Sequence, residues 1–520
     1  MESRNITKRA TCLSVGIDFG ASKTVLSFLR SSDDNIRPHL LSLRGDTIIP
    51  TVVAYPSKEP CVIGKKALQY PKRISWLKHI LYESSILDNS NKTLVQDLVK
   101  LAIDRLPREK QDNPYLVVAD FLGTLLQHFQ TFLEGYPDLK TLPRVYTFTI
   151  PATWSEHARS MMLNAAQQAG YGRQKATIRF TTEADAVAVY AANKSGLNMG
   201  QFSQVNDGVI ICDCGASTID LTAFYVDQTS PSFECQMLAA SNSRICGALE
   251  LQYLVYDRLS QFRSTKGIGI PNPGVPFARR ADFNFPAGST SNIDLNVLSI
   301  DSTVKDELYD TLIRRIVCYI RNQIDCASLC VGRDKIRRLL LVGGMTVSDE
   351  ISTKFRSILG SDSKITVYQP PEPIDRVHAV SFGATLCGIR QTRLSFKFWK
   401  HYYMVCSNWE ELLEMFPKGH SFDDGTCRDW RITLPRSGEI EIVESAEPLS
   451  LKHVGKITCD FTRVSGNWQL VTVLVNCRAT VRFEDQDFPC ERMLHLAVYH
   501  GEGLNKRLVA HKRLLMQGMF

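Results

Sequence analysis

The amino-acid sequence predicts an α/β protein followed by a smaller β-rich domain at the C-terminal end of its 520 residues. Two observations predict this class. Strand-like and helix-like segments alternate up to about residue 391, which is typical of α/β architecture. From about residue 430, short β-like runs separated by turn residues replace the helical patterns, which indicates a compact antiparallel β domain.

The composition is that of an ordinary globular protein, and it excludes several classes of function. Hydrophobic residues make up 44% and charged residues 22% of the sequence, and the net charge of +7 is scattered along the chain. Scattered charge gives no reason to expect a nucleic-acid partner. No Cys-x-x-Cys pair occurs among the 15 cysteines and the first residues are polar, so we predict reduced thiols in the cytoplasm, with the nucleus as the alternative. No apolar run reaches the length of a membrane span, so no membrane partner is expected.

The first half of the chain predicts a hairpin, a short strand pair and an alternation of strands and helices. Strand-forming residues flank the turn after Asp18, and apolar residues at helical spacing mark the later helices. The predicted elements are a hairpin over 13–29, strands within 47–56, a helix over 115–134, a strand over 145–150, and helices over 157–169 and 185–192.

The second half of the chain predicts another hairpin, a long helix and then the β domain. Residues 264–294 are rich in Pro, Gly, Ser and Asn, which predicts an irregular insertion. A helix over 304–329 and a buried strand over 339–342 complete the α/β part. The predicted domains are 10–391, a connecting segment over 392–428, and 429–520, with β-like runs at 430–434, 440–443, 455–461, 470–475 and 479–483 that end near residue 500.

One pattern occurs twice: an apolar strand, then Asp-x-Gly-Ala-Ser, then a second apolar strand. The two copies cover residues 18–22 and 213–217. A carboxylate at the end of a buried strand can hold hydrated Mg²⁺, which prefers oxygen ligands. The glycine and small residues after it let backbone N–H groups approach phosphate oxygens. Two such turns facing each other would close on the phosphate chain of a nucleotide from both sides.

Four further motifs follow in a fixed order. They are Phe-Thr-Ile-Pro-Ala-Thr-Trp at 148–154, Thr-Glu-Ala-Asp-Ala at 182–186, Leu-Val-Gly-Gly-Met-Thr at 341–346 and Ala-Val-Ser-Phe-Gly-Ala at 379–384. With the paired turns, which match phosphate-1 and phosphate-2 loops, they resemble the actin-like ATPase superfamily, and within it the Hsp70 family. The sequence looks most similar to the diverged Hsp70-related 12A and 12B proteins and their fungal relatives. The resemblance implies a two-lobed actin-like ATPase with ribonuclease H-like repeats, lobe I over about 10–205 and 370–391 and lobe II over about 206–369.

The resemblance also implies cofactors and residue roles. The cofactors would be ATP or ADP with Mg²⁺, and Asp18 and Asp213 would bind the metal through water. Glu183 would orient the attacking water, and Lys78 would neutralise charge on the transferred phosphoryl group. Thr218 matches a hydroxyl near the γ-phosphate. Backbone contacts to phosphate and adenosine would come from Gly20, Ala21, Ser22, Gly215, Ala216, Ser217, Gly343, Gly344 and Met345.

These residues also have purely structural interpretations. An Asp that ends a strand is usually a turn or cap residue, Glu183 could cap the helix that follows it, and Lys78 could be a surface lysine. The Gly343-Gly344 pair could be only a strand-ending turn. Lys23-Thr24 is similar to the end of a P-loop, but the GxxxxGK[ST] spacing is absent, so that motif is rejected.

Two departures from the Hsp70 pattern bear on hydrolysis. Ala216 and Ser217 stand where the family has Gly-Gly, which adds side chains to the second turn and restricts its positive-φ conformations. Ala21 and Ser22 stand where two threonines are usual, which removes one hydroxyl near the phosphates. Nucleotide binding through backbone N–H groups would survive both changes, whereas hydrolysis would be slow or absent.

Three functions follow, in order of preference. The first is a weak Mg²⁺-dependent ATPase whose nucleotide state biases a β domain that holds an unfolded or peptide-like client protein, with co-chaperones as further partners. The second is a nucleotide-binding regulator or scaffold with little hydrolysis. The third is a small-molecule kinase, because sugar kinases share the two turns, although the added β domain argues against it. The linker lacks the acidic-apolar Asp-Leu-Leu-Leu of Hsp70 proteins, so interdomain coupling would differ.

Overall fold

The structure is a computed structural model of the chain. It shows two α/β lobes, each built on one sheet, followed by two further β-sheets. The residues that it describes are 11–33, 37–57, 61–81, 100, 102–152, 154–173, 175–192, 206–228, 234–251, 254, 302–360, 365–389, 393–397, 401–406, 412–416, 421–422, 427–445, 452–461, 468–483, 486–500 and 507–515.

Lobe I contains a mixed sheet in which the first strand of the chain is central. Its strands are β1 (Leu13–Phe19), β2 (Lys23–Arg30), β3 (His39–Leu40), β4 (Ile49–Pro50), β7 (Arg144–Ile150) and β8 (Ala176–Thr182), while β5 (Val53–Ala54) and β6 (Val62–Ile63) form a separate pair. The order is β3-β2-β1-β7-β8, and β4 also pairs with β2. β1 is antiparallel to β2 and parallel to β7, and β7 is parallel to β8. The predicted strand pair within 47–56 is thus two strands with different partners.

The helices of lobe I agree with the periodicity of the sequence. They are α1 (Gly64–Ala67), α2 (Tyr115–Glu134), α3 (Pro137–Lys140), α4 (Glu156–Gln168) and α5 (Glu183–Ala192), with 3₁₀ turns at Leu77–Leu81 and Arg108–Lys110. α4 begins after Ser155, whose Oγ accepts a hydrogen bond from Ala158 N at 3.2 Å, as expected of an N-cap. The apolar face of α2 and the apolar residues of α4 lie in the lobe I core with the side chains of β1 and β7.

By length and mean composition α2 meets the criteria for a membrane-crossing helix, and it is the single helix of the described residues that does. Helices at the core of a folded domain meet the same criteria. Leu122, Leu125 and Phe129 of α2 are fully buried against the rest of lobe I, which accounts for its apolar composition.

Lobe II repeats the sheet topology of lobe I. Its strands are β9 (Gly208–Cys214), β10 (Thr218–Gln228), β11 (Glu234–Ile245), β12 (Ile336–Val342) and β13 (Thr366–Tyr368), and its helices are α6 (Ser302–Val331) and α7 (Asp349–Gly360), with 3₁₀ turns at Arg333–Lys335 and Gly344–Val347. The order β11-β10-β9-β12-β13 has the same parallel and antiparallel neighbours as β3-β2-β1-β7-β8. The two lobes are therefore topological repeats, as ribonuclease H-like lobes require. The predicted insertion over 264–294 lies outside the described residues.

Two helices cross between the lobes. α5 follows β8 of lobe I and packs against β9 and β10, whereas α8 (Pro373–Ile389) follows lobe II and packs against β1, β2 and β7. A Cβ on Gly383 of α8 would lie 1.8 Å from the carbonyl oxygen of Ala186 of α5, so the helices cross in backbone contact. Each connecting helix thus packs on the opposite lobe, and both lobes share one central helix pair.

The segment over 392–428 contains strands although its sequence has no clear period. They are β14 (Arg393–Lys397), β15 (His401–Cys406), β16 (Leu413–Phe416) and β17 (Ser421–Phe422). β14 extends the lobe II sheet in parallel with β11, and β17 pairs with β14. Strands of two to six residues are too short for an alternation to be recognised, which is why the sequence predicted only a connecting segment.

Two four-stranded sheets make up the C-terminal part. One has the order β16-β15-β19-β20 and the other β18-β21-β22-β23. Alternate residues of β19 and β20 are buried, and inward residues of both sheets form a common apolar core. The antiparallel pairing of these strands agrees with the predicted β domain, but β23 extends to Leu515, so the predicted end near residue 500 is wrong. The strands are β18 (Cys427–Pro435), β19 (Ser437–Ser445), β20 (Lys452–Asp460), β21 (Trp468–Phe483), β22 (Gln486–His500) and β23 (Arg507–Leu515).

Candidate active site between two phosphate-loop turns

The two Asp-containing turns lie at equivalent places in the two lobes. Asp18 is the penultimate residue of β1 and Asp213 is the penultimate residue of β9, the central strand of each repeat. Both side chains are buried. Thr149, at the end of the neighbouring β7, donates its hydroxyl to Oδ1 of Asp18 at 3.4 Å. The sheets therefore present both carboxylates at the same end of their central strands.

The two turns also have the same hydrogen bond. Gly20 N donates to the carbonyl oxygen of Lys23 at 2.9 Å, and Gly215 N donates to that of Thr218 at 2.9 Å. A Cβ on Gly20 would lie 2.5 Å from the Lys23 oxygen, and one on Gly215 would lie 2.9 Å from the Thr218 oxygen. Each turn therefore needs glycine at this position, and the common geometry makes Lys23 the counterpart of Thr218.

The side chains of the second turn cause no backbone strain. Positive φ at described non-glycine residues is confined to Arg44, Trp76, Lys175 and Asn206, so the expected restriction of positive-φ conformations does not apply at Ala216 and Ser217. The carbonyl oxygen of Ala216 accepts Leu249 N at 2.8 Å, which fixes one side of the turn against lobe II.

Charges of one sign dominate the region between the turns. Burial raises the pKa of Asp18 to about 6, against the opposing effect of Lys23 and with a further increase from Glu183. Burial, followed by the charges of Glu183 and Asp18, raises the pKa of Asp213 to about 7. Carboxylates that repel one another in a buried site favour the binding of a cation.

Lys78 and Glu183 form a buried ion pair, although they are far apart in the sequence. Lys78 Nζ also lies 5.8 Å from the ring centroid of Trp154. The interpretation of Lys78 as a surface lysine is therefore wrong. Trp76, two residues before it, has φ +62, an uncommon conformation for a bulky residue, at the start of the 3₁₀ turn that carries Lys78. Strained backbone of this kind tends to occur at functional sites.

The capping role that the sequence left open for Glu183 belongs to its neighbour. Thr182 Oγ1 accepts a hydrogen bond from Asp185 N at 3.0 Å at the start of α5. The carboxylate of Glu183 instead accepts from Lys78. Its side chain is buried against Lys78 rather than used as a helix cap.

The Gly343-Gly344 turn contacts the second Asp turn directly. Gly343 has φ +92, and a Cβ there would lie 2.3 Å from Asp213 Oδ1. Gly343 N donates to the carbonyl oxygen of Arg376 at 2.8 Å, which holds the turn against the start of α8. The side chain of Met345, expected near the cofactor, lies in the apolar core of lobe II, so only its backbone could contact a ligand. Apolar side chains of a buried 3₁₀ turn pack inward, which is the physical reason for this correction.

Sequence reasoning missed two polar residues of this region. Lys23, rejected as part of a P-loop, extends from the first turn and donates through Nζ to the carbonyl oxygen of Val377 in α8 at 3.2 Å. Asp220 is the cross-strand partner of Asp213 and is buried, and its Oδ1 makes no hydrogen bond within the described residues. The signal for Asp220 is the single charged residue in the strand segment Thr-Ile-Asp-Leu-Thr-Ala-Phe.

The donor set suits hydrated Mg²⁺ held together with phosphate. No group of three or more His, Cys, Asp or Glu side chains in the described ranges could hold a metal ion by itself. Mg²⁺ keeps several waters and usually takes only one or two carboxylates beside substrate phosphates. Asp18 and Asp213, with the unsatisfied Oδ1 of Asp220 on the strand next to Asp213, fit that requirement.

Comparison with known proteins finds distant relatives among chaperones. No family model matches the chain. It is 24% identical to the chaperone protein HscA homolog of Rickettsia conorii over 387 residues, 73% of this chain and 57% of that protein. It is 20% identical to the chaperone protein DnaK of Buchnera aphidicola over 405 residues, 72% of this chain and 59% of that protein. These relatives are Hsp70 chaperones.

The relatives support the Hsp70 resemblance of the sequence. They imply a two-lobed actin-like ATPase fold, which agrees with the repeated sheet topology of the two lobes. The chain spans less than two thirds of the length of the curated relatives it matches.

Proposed function

We propose that the chain is an Hsp70-like ATP-binding protein of the diverged 12A and 12B branch, a weak Mg²⁺-dependent ATPase with chaperone-like client binding. The observation that carries the proposal is the pair of equivalent turns, each with a buried Asp at the end of the central strand of its lobe. Free backbone N–H groups and carboxylates are the groups that bind the phosphates and the metal of a nucleotide.

The chain's own residues have distinct roles in this proposal. Asp18 and Asp213 hold hydrated Mg²⁺, which when bound neutralises charge on the phosphate oxygens. Ala21, Ser22, Ala216 and Ser217 direct N–H groups toward the phosphates, while Gly20 and Gly215, whose own N–H groups close the turns, let the backbone approach. Thr218 contacts the terminal phosphoryl group, and Gly343 and Gly344 leave room for adenosine. Glu183 orients the attacking water, and Lys78 neutralises charge on the phosphoryl group as it is transferred.

The C-terminal sheets are the proposed client-binding part. Sheets of this kind have edge strands that can pair with an extended peptide through main-chain hydrogen bonds. β14, which leads into the C-terminal sheets, extends the lobe II sheet that contains β9 and Asp213. It therefore connects the proposed client-binding part to the sheet that carries a proposed nucleotide-binding residue. The partners proposed are nucleotide, an unfolded or peptide-like client and co-chaperones, and the proposed location is the cytoplasm.

Nucleotide binding and turnover test the proposal. ATP affinity and phosphate release in Mg²⁺ are measured for the parent chain and for Asp18→Asn, Asp213→Asn and Glu183→Gln. We expect the two Asp variants to lose affinity, because each lacks a metal carboxylate, and Glu183→Gln to lose about 100-fold in turnover with less change in affinity. Asp138→Asn, an exposed position in lobe I, is the matched control.

A regulator or scaffold with little hydrolysis is the second candidate. The direct ion pair between Lys78 and Glu183 favours it, because it engages the carboxylate that would orient water. Tight ATP binding with no turnover above that of Glu183→Gln would support this candidate and contradict the ATPase. A small-molecule kinase is the third candidate. ATP-dependent phosphorylation of a compound in a metabolite screen would support it.

A further inference from the structure

The internal repeat assigns a ligand-facing position to Lys23. In both turns the glycine N–H bonds the carbonyl three residues later, so Lys23 of lobe I corresponds to Thr218 of lobe II. Thr218 is the residue proposed to contact the terminal phosphoryl group. Two equivalent turns that close on one phosphate chain bring equivalent positions to it from opposite sides. Lobe I therefore presents a cation where lobe II presents a hydroxyl.

The surroundings of Lys23 agree with a ligand contact. Its ammonium group has three donors, of which the bond to the carbonyl oxygen of Val377 at 3.2 Å uses one. The side chain is half-buried and is close enough to Asp18, Asp213 and Glu183 to interact with their charges. A fixed cation at this place is attracted both to the carboxylates and to phosphate oxygens that enter between the lobes.

We propose that Lys23 contacts the phosphate chain of the bound nucleotide and supplies part of the charge compensation that Mg²⁺ would otherwise give alone. The inference rests on the proposed nucleotide binding. Its consequence is that the nucleotide affinity of this chain depends less on Mg²⁺ than it would without the charge of Lys23. A purely structural lysine that fastens the first turn to α8 would not change that dependence.

Calorimetric titration with a non-hydrolysable ATP analogue tests the inference without any need for turnover. The parent chain, Lys23→Met and Lys23→Gln are titrated in excess Mg²⁺ and again in EDTA, with Lys72→Met as an exposed lysine control in the same lobe. Lys23→Gln removes the charge but keeps a donor for the Val377 carbonyl, so it separates the charge from the structural bond. Thermal unfolding shows whether each variant folds. If Lys23→Met does not fold, Lys23→Gln is compared with the parent instead.

We expect both Lys23 variants to bind the analogue about tenfold to 100-fold more weakly in Mg²⁺, the loss typical of one hydrogen bond to a charged group. Removal of Mg²⁺ should then reduce their affinity by at least about tenfold more than it reduces that of the parent. Lys72→Met should match the parent in both conditions. If folded Lys23→Gln has the affinity and the Mg²⁺ dependence of the parent, the inference is overturned but the proposed function is not. A parent chain that does not bind the analogue in Mg²⁺ would overturn the proposed function as well.

Discussion

At Gly343 two demands on the backbone coincide. The residue has φ +92, in the region that favours glycine, and a Cβ would meet Asp213 Oδ1 at 2.3 Å and the carbonyl oxygen of Cys214 at 2.4 Å. The close approach brings the turn after β12 against the carboxylate proposed to hold Mg²⁺. Gly45 has the nearly identical φ of +91, but nothing lies within 4 Å of its Cβ position. Alanine at Gly45 would therefore add only the conformational strain of a positive φ, whereas alanine at Gly343 would add that strain and a steric clash.

We expect Gly343→Ala to lower the free energy of unfolding by at least about 2 kcal/mol more than Gly45→Ala, because only Gly343 adds overlap to the conformational strain. Gly45→Ala should cost about 1–2 kcal/mol. Denaturant unfolding of the two variants and the parent measures the difference. Equal losses would mean that Asp213 moves away without cost, and the turn would not then constrain the carboxylate.

His79 gives a prediction for pH. It is buried, and burial together with the positive charge of Lys78 lowers its pKa to about 3. Between pH 6.5 and 3 the unfolded chain therefore binds a proton on His79 that the folded chain does not, so this residue lowers stability as the pH falls. The contribution reaches about 3 kcal/mol at pH 4. Asp18 and Asp213, with raised pKa values, act in the opposite direction.

Comparison with a variant isolates the histidine from these carboxylates. We expect His79→Leu to lose less stability than the parent between pH 7 and pH 4, as measured by unfolding midpoints across that range. His157→Leu, which replaces an exposed histidine of α4, should keep the parent's pH dependence. Parallel pH profiles for His79→Leu and the parent would contradict the burial of a neutral imidazole.

At the scale of elements, the crossing of α5 and α8 links the lobes through one close contact. A Cβ on Gly383 would lie 1.8 Å from Ala186 O, a backbone atom, so the helices would have to separate. A Cβ on Gly388 of the same helix would meet Ser14 Oγ at 2.1 Å, and a side chain can rotate. The two glycines therefore differ in what must move to accommodate a methyl group.

We expect Gly383→Ala to destabilise the protein by about 3 kcal/mol and to weaken binding of the ATP analogue, because both lobes share this helix pair. Gly388→Ala should cost less than about 1.5 kcal/mol, since the higher helix propensity of alanine offsets part of the overlap. Denaturant unfolding and calorimetric titration measure the two effects. A smaller loss in Gly383→Ala than in Gly388→Ala would contradict the contact between the helices.

At the scale of the whole molecule, β14 joins the C-terminal sheets to lobe II. Its backbone pairs with parallel β11 and antiparallel β17, so main-chain hydrogen bonds hold the start of the segment that leads to the C-terminal sheets in the lobe II sheet. The absence of the Asp-Leu-Leu-Leu sequence does not prevent the linker from docking as a strand. Main-chain bonding explains this result, because a sheet edge accepts many sequences.

We expect Leu394→Pro to loosen the attachment of the C-terminal sheets to lobe II, because proline removes a backbone N–H where β14 pairs with β11. Limited proteolysis between the two parts should become about tenfold faster, the effect of losing one or two ladder hydrogen bonds. Leu394→Ala keeps the N–H and should be cleaved at the parent's rate. Equal cleavage of the proline variant would indicate that β14 does not hold the parts together.

Much of the fold could be predicted from the sequence because it depends on neighbouring residues. The helix at Tyr115–Glu134 is covered by its predicted range, and the strand at Arg144–Ile150 and the helix at Glu183–Ala192 differ from theirs by one or two residues. Apolar spacing and terminating residues decide these elements locally. The strands within 392–428 were not predicted, because they are short and depend on the sheet edges that they join.

The sequence by itself determined that two equal turns with a buried Asp and a close-approach glycine occur in this protein, since Asp-x-Gly-Ala-Ser dictates each turn through bonds within a few residues. Only the tertiary structure decided which side chains meet there. The pairing of Lys78 with Glu183, the reach of Lys23 to α8, and the approach of Gly343 to Asp213 all join residues distant in the chain. Such contacts depend on how the lobes and connecting helices pack, which no local pattern of residues encodes.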